Sequence, residues 1–173
     1  MIPTPTEAEL EVAGARLGDV LLRHGWRMAT AESSTGGLIG HAITMVPGAS
    51  RYYVGGVIAY SNLAKEVELN VPHELLEEHG AVSQPVARAM AEGVRRRFNV
   101  EVGVAVTGIA GPEGGSQAKP VGTHYVAVSV RGHADRVEHR VFPHDRDGNK
   151  AAAAMLALEL AMEEVTAATR QGT

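Results

Sequence analysis

Residues Val102 to Thr107 read Val-Gly-Val-Ala-Val-Thr, a near-continuous apolar run. A strand with one wet face alternates apolar and polar residues, so a run without alternation marks a strand covered on both sides. This segment calls for helices above and below a sheet, and the remaining chain supplies them. Thr6 and Glu9 form a capping box, followed by apolar residues at Leu10, Val12, Ala13, Leu17, Val20 and Leu21, which predicts a helix to about Arg23 that ends at Gly25. Trp26 to Ala31 reads as a short strand, and a second helix is expected from about Thr35 to Met45, stopped by Pro47-Gly48. Tyr52 to Tyr60 is β-rich, with Gly55-Gly56 marking a bulge or a close backbone approach. Asn62 can cap a short helix, Pro72 to Glu78 suggests another, and Ser83 with Pro85 opens a longer one to about Phe98. Val121 to Arg131 and Arg136 to Phe142 read as a hairpin turning at Gly132-His133, and the Ala-rich segment from Asp147 to Ala168 as the last helix. Strands and helices alternate, then a hairpin, then a helix. The expected fold is α/β: a single three-layer α/β/α domain, core about residues 6–168, whose mixed, mostly parallel sheet includes a C-terminal antiparallel hairpin.

The 173 residues suffice for one domain with a real core, and aromatics at 4% leave that core to Ala, Val, Leu and Ile. A net charge of −4 argues against nucleic acid as a partner, so any anionic ligand needs a local cationic pocket. The absence of cysteine excludes disulfides, thiolate nucleophiles and cysteine-bound zinc, and fits a cytoplasmic location. No histidine pair has metal-ligand spacing, and no metal is expected. Met1 to Pro5 lacks the regions of a signal peptide, and no apolar run approaches the ~20 residues of a membrane span. No membrane role is expected; a homodimer is an open expectation for a small α/β protein.

Three irregular segments follow strands: Ser33 to Gly37, Ser61 to Lys65 and Gly108 to Pro120. If those strands are parallel, the loops can converge beyond their carboxyl ends. In Thr30-Ala31-Glu32-Ser33-Ser34-Thr35-Gly36-Gly37 a serine sits where a strand bends towards a helix, the setting of an activated nucleophile or an oxyanion-binding turn. The same residues also suit a plain helix cap and tight turn. A serine nucleophile needs a base. None of the eight histidines is placed for that task, which leaves Lys65, whose pKa would fall on burial. On local sequence alone the favoured reading of Lys65 is a surface lysine on a short helix. The loop from Thr107 through Gly108, Gly111, Gly114 and Gly115 can surround a phosphate or ribose, with Lys119 adding charge, or it can be an ordinary surface loop. It matches neither the P-loop nor the Rossmann fingerprint. Arg146, beside the start of the last helix, can grip an anion.

Taken together, Ala31 to Gly37, Tyr60-Ser61-Asn62-Leu63-Ala64-Lys65, His79 to Ser83, Thr107 to Pro112, Lys119 to Thr123 and Phe142 to Arg146 resemble the CinA C-terminal domain family in order along nearly the whole chain. The resemblance implies a nicotinamide-nucleotide amidase, which hydrolyses nicotinamide mononucleotide to nicotinic acid mononucleotide and ammonia without a cofactor. It implies Ser33, Tyr60 and Lys65 as catalytic residues, with Lys65 as the base and Tyr60 steering it or relaying a proton. Ser34, Thr35, Gly36, Gly37, Thr107, Gly108, Gly111, Gly114, Gly115 and Arg146 are then the substrate-binding set, and N–H groups near Thr35 to Gly37 hold the oxyanion. Departures from the family pattern are Ser34 in place of a common cysteine, His144 before Asp145-Arg146 in place of glycine, and Asn149-Lys150-Ala151 in place of an arginine-rich helix start. Many relatives carry this domain behind a larger one, for which this chain has no room; it is expected to be a stand-alone or trimmed form. Rival readings are a non-catalytic nucleotide-binding module, a competence- or damage-associated interaction module, and an amidase for another small carboxamide.

Overall fold

A computed structural model describes residues 3–171. Their elements run α1 (Glu7–His24), β1 (Met28–Glu32), α2 (Leu38–Thr44), a short 3-10 turn (Ala49–Arg51), β2 (Tyr53–Ile58), α3 (Asn62–Leu69), α4 (His73–His79), α5 (Gln84–Arg97), β3 (Val102–Gly108), β4 (Thr123–Val130), β5 (Arg136–Val141) and α6 (Arg146–Gln171). The strand order is β2-β1-β3-β4-β5. β1 pairs parallel with both β2 and β3, while β3–β4 and β4–β5 are antiparallel, so every strand but β4 points the same way. The expected mixed sheet and terminal hairpin are present.

Helices cover both faces, and the faces differ. α1, α2 and α6 pack on Met28, on Val102, Val104 and Val106, and on Val126, Val128 and Val130. α3, α4 and α5 pack on Ala29, Ala31, Ala105 and Ala127. Strand alternation sends branched residues to one side and small ones to the other. The small side lets α5 lie close, since a Cβ at Gly103 would overlap the Ala91 carbonyl; within the same layer α5 also approaches α3, where a Cβ at Gly93 would overlap the Leu69 carbonyl.

The capping box at Thr6 and Glu9 forms as expected, and Gly25 ends α1 in the left-handed region at φ 65°. The Gly55-Gly56 expectation also holds, since the β1–β2 register shifts beside it. Other local expectations need correction. Thr35, Gly36 and Gly37 precede α2, because Gly36 and Gly37 take φ of 61° and 104°, which no α-helix contains. Ser61, not Asn62, caps α3 by accepting the Ala64 N–H. Ser83 stands at the α5 N-cap, but its hydroxyl donates to the Gly80 carbonyl. α6 begins at Arg146, capped by Asp145, whose carboxylate accepts the Gly148 N–H at 2.9 Å. Among the described residues no helix is long and apolar enough to cross a membrane.

Candidate active site

Because β2, β1 and β3 are adjacent and parallel, the segments after them meet at one edge of the sheet. The first is anchored at both ends. The Ser33 N–H donates to the Val106 carbonyl at 3.0 Å, extending the β1–β3 pairing by one residue. Glu32, fully buried, folds its carboxylate back under the turn. Oε2 accepts from Thr35 Oγ1 (2.7 Å) and from the N–H groups of Gly37 and Ile39 (3.0 Å each), and Oε1 accepts from the Gly40 N–H (2.8 Å). The N-cap of α2 is Gly37, which has no side chain to cap with. Glu32 does that work from the strand, placing a negative charge at the positive end of the helix.

The Gly36 N–H donates to the Ser33 carbonyl and the Gly37 N–H to Glu32, so both are committed inside the turn. Those of Ser34 and Thr35 have no acceptor among the described residues. Gly36 and Gly37, expected among the oxyanion donors, are therefore not free to serve: a turn built on positive-φ glycines spends its later N–H groups on closing itself. Ser34 Oγ, also buried, lacks a hydrogen-bond partner among the described residues.

The second segment delivers the amine. Ala59 is still sheet-like, its N–H donating to the Glu32 carbonyl at 2.8 Å. α3 then starts at once, and Lys65 in its first turn points back under the sheet edge with only 1% of its surface exposed. Its Nζ lies 2.8 Å from the Ala59 carbonyl and 3.1 Å from Ser33 Oγ. Burial strips solvent from the ammonium and lowers the pKa from 10.5 to about 8. The surface-lysine reading is excluded.

The third segment and two neighbours close a cleft of about 290 Å³, near the lower bound for small-molecule sites. Ser33, Ser34, Tyr60, Lys65, Thr107, Gly108, Gly111, Gly114 and Arg146 all line it; Thr35, Gly36, Gly37 and Gly115 do not. Thr107 is committed to the wall, its hydroxyl donating to the Ala81 carbonyl at 2.8 Å and bringing Ala81 and Val82 to the cleft. Lys119 donates to the His79 carbonyl at 2.8 Å, tying the glycine loop to the end of α4, and does not reach the cleft. Two α6 side chains hold the loop from the other side: Asn149 Nδ2 to the Ala110 carbonyl at 3.0 Å, and Arg146 Nη1 to the Gly111 carbonyl at 2.6 Å. Arg146 Nη2 also donates to the Tyr60 hydroxyl at 3.0 Å. No hydrogen bond joins Tyr60 to Lys65; the Ala59 carbonyl orients the amine instead.

Glu32 and Asn149 escaped the sequence reading of the site. The available signal was a carboxylate ending an apolar strand, just before a glycine turn without a capping side chain. Asn149 gave no signal beyond its departure from the arginine-rich pattern.

The arrangement pairs a serine hydroxyl with a desolvated amine beside the unclaimed Ser34 N–H, which is the equipment for attack on a carbonyl carbon. Comparison with known proteins agrees with the order of the motifs. The CinA C-terminal domain model matches residues 11–165. A CinA-like protein from Gemmatimonas aurantiaca is 49% identical over 153 residues, covering 88% of this chain and 35% of that protein. A putative competence-damage inducible protein from Symbiobacterium thermophilum is 49% identical over 152 residues, covering 83% and 36%. The chain thus spans about a third of the length of these curated relatives. Among solved structures, a competence/damage inducible protein from Agrobacterium tumefaciens is 36% identical with a TM-score of 0.88, covering 94% of this chain and 98% of that one. A CinA superfamily protein from Escherichia coli is 31% identical with a TM-score of 0.86, covering 94% and 95%. By sequence, fold and extent of match, the chain belongs to the CinA C-terminal domain family.

Proposed function

We propose that this chain is an amidohydrolase that acts through a serine acyl-enzyme with lysine as base, and that its substrate is nicotinamide mononucleotide. The observation that carries the chemistry is the 3.1 Å approach of Lys65 Nζ to Ser33 Oγ in a cleft where the amine is buried. Substrate identity is supported by the family resemblance.

In the neutral amine form, Lys65 accepts the Ser33 proton as Oγ attacks the carboxamide carbon. The oxyanion forms against the Ser34 N–H, which is unclaimed in the turn beside Ser33; one such donor is worth ~3 kcal/mol. As the C–N bond breaks, Lys65 returns the proton to the leaving nitrogen and ammonia departs. A water then attacks the ester, giving its proton to Lys65, and the acid leaves as Ser33 recovers a proton. The Ser34 hydroxyl, without a partner among the described residues, gains one from the carboxamide. Ala81, Val82 and Ile109 offer an apolar wall to the pyridine ring, and Arg146 with the glycine loop holds the phosphate end. The scheme needs no metal or organic cofactor.

The test is ammonia release from nicotinamide mononucleotide, its riboside and free nicotinamide. The mononucleotide is expected to be the best substrate, and Ser33→Ala to abolish turnover while still binding it. Full turnover by Ser33→Ala would remove the nucleophile assignment; equal turnover of the riboside would remove the phosphate contacts.

A further inference from the structure

Tyr60 follows Ala59, and in an extended segment consecutive side chains point to opposite sides. Ala59 is fully buried, while Tyr60 is 62% exposed. The family resemblance implies a catalytic tyrosine, yet the polar neighbour of this hydroxyl is Arg146, at 3.0 Å. The hydrogen bonds of Lys65 Nζ go to Ser33 Oγ and the Ala59 carbonyl, and none among the described residues links Tyr60 to either catalytic atom. A residue that relays a proton directly stands within about 2.6–3.2 Å of the group it serves, or one water away from it. Among the described residues the direct hydrogen bond of Tyr60 is with Arg146.

The Tyr60–Arg146 bond spans the mouth of the cleft, one partner arriving after β2 and the other at the start of α6. In it the tyrosine oxygen accepts, which leaves its own proton free to donate. Arg146 spends its N–H groups on two neutral acceptors, Tyr60 and the Gly111 carbonyl. An anionic oxygen is a stronger acceptor than either, because charge-assisted hydrogen bonds outweigh neutral ones. We propose that Tyr60 is a substrate-binding residue, whose O–H and the Arg146 guanidinium form a two-part grip for a phosphate monoester outside the path of proton transfer. The inference rests on the proposed function only for which ester is bound, not for the grip itself.

Two measurements test it. In calorimetry, inorganic phosphate and nicotinamide mononucleotide are titrated into Ser33→Ala and into Ser33→Ala combined with Tyr60→Phe. Loss of a hydrogen bond to a charged group predicts Kd values about tenfold higher for both ligands, with the riboside unaffected. In steady-state kinetics, Tyr60→Phe raises KM for the mononucleotide about tenfold, keeps kcat within about twofold, and leaves the pH of half-maximal kcat in place. An unchanged phosphate Kd overturns the proposal. So does a fall in kcat at constant KM with a shifted pH limb, which would make Tyr60 part of the proton path. Wild-type protein that binds no phosphate overturns it as well, whatever its turnover. If wild type releases no ammonia but Tyr60→Phe still weakens phosphate binding tenfold, the amidase reading fails and the grip stands. The exposed ring makes Tyr60→Phe a safe change for folding, which an unaltered melting temperature checks.

Discussion

The floor and the mouth of the cleft each carry one cation, and the two are built for opposite purposes. At the floor Lys65 is buried, its solvation replaced by a carbonyl and a hydroxyl, and its pKa drops to about 8. At the mouth Arg146 keeps an open side and donates to Tyr60 and Gly111. A guanidinium cannot be neutralised in a protein, whereas an amine can be made neutral by desolvation. Lysine therefore suits the place where a proton must come and go, and arginine the place where a charge must stay. Their surroundings follow the same logic: the floor is fixed by sheet pairing and the Glu32 carboxylate, the mouth by single side-chain bonds between loops and a helix end.

That division can be broken most directly at Lys65. Lys65→Met is expected to lower kcat by ~10³-fold, the scale of general-base catalysis, without a matching loss of fold. The stability sign follows from linkage: the folded pKa lies below the free value, so burying the ammonium costs stability in full below about pH 8 and at no cost above 10.5. Melting curves should show Lys65→Met most favoured relative to wild type at and below neutral pH, with the advantage shrinking as pH rises through that interval. For the wild type, kcat/KM should climb with pH and level off above about 8. A flat profile from pH 6 to 9 would deny Lys65 its role.

Glu32→Gln comes next in size. A glutamine places an NH₂ among four donors that all point at the carboxylate. The stability cost is about 1–3 kcal/mol, or roughly 2–4 °C in Tm for each kcal/mol. The Ser33 turn should loosen, with kcat falling about tenfold or more and KM little changed, because orientation is lost before binding is. Activity equal to wild type would show that β1 pairing alone holds Ser33.

The smallest effect sharpens the contrast. Arg146→Lys cannot span Gly111 and Tyr60 together, so KM for the mononucleotide should rise about tenfold, with kcat within about twofold. If Arg146→Lys lowered kcat as far as Lys65→Met does, floor and mouth would have to be treated as one unit.

Much of the fold was legible because it is local. The Thr6–Glu9 box, the left-handed Gly25 and the Gly55-Gly56 irregularity each depend on residues a few positions apart or on backbone freedom. The unbroken apolar run in β3 correctly called for helices on both faces. Element ends were less legible. Asn62 and Ser61 are equally good caps by type, and only the path of the chain after β2 selected Ser61. The Ser83 hydroxyl turned to Gly80 because the wall before α5 brought that carbonyl within reach.

What the chain determined by itself, then, is its layering and which loops follow which strands, since side-chain alternation, caps and glycine turns act over neighbours. Tertiary structure alone decided that Lys65 is a buried amine and not a surface cation: its pKa falls through desolvation, and the hydroxyl it meets lies 32 residues away. The same holds for Tyr60, whose motif reads alike whether it faces the amine or the mouth. Only the parallel pairing of three strands, which turns Ala59 inward and Tyr60 outward, settles its direction, because alternation acquires an inside and an outside only once the sheet has formed.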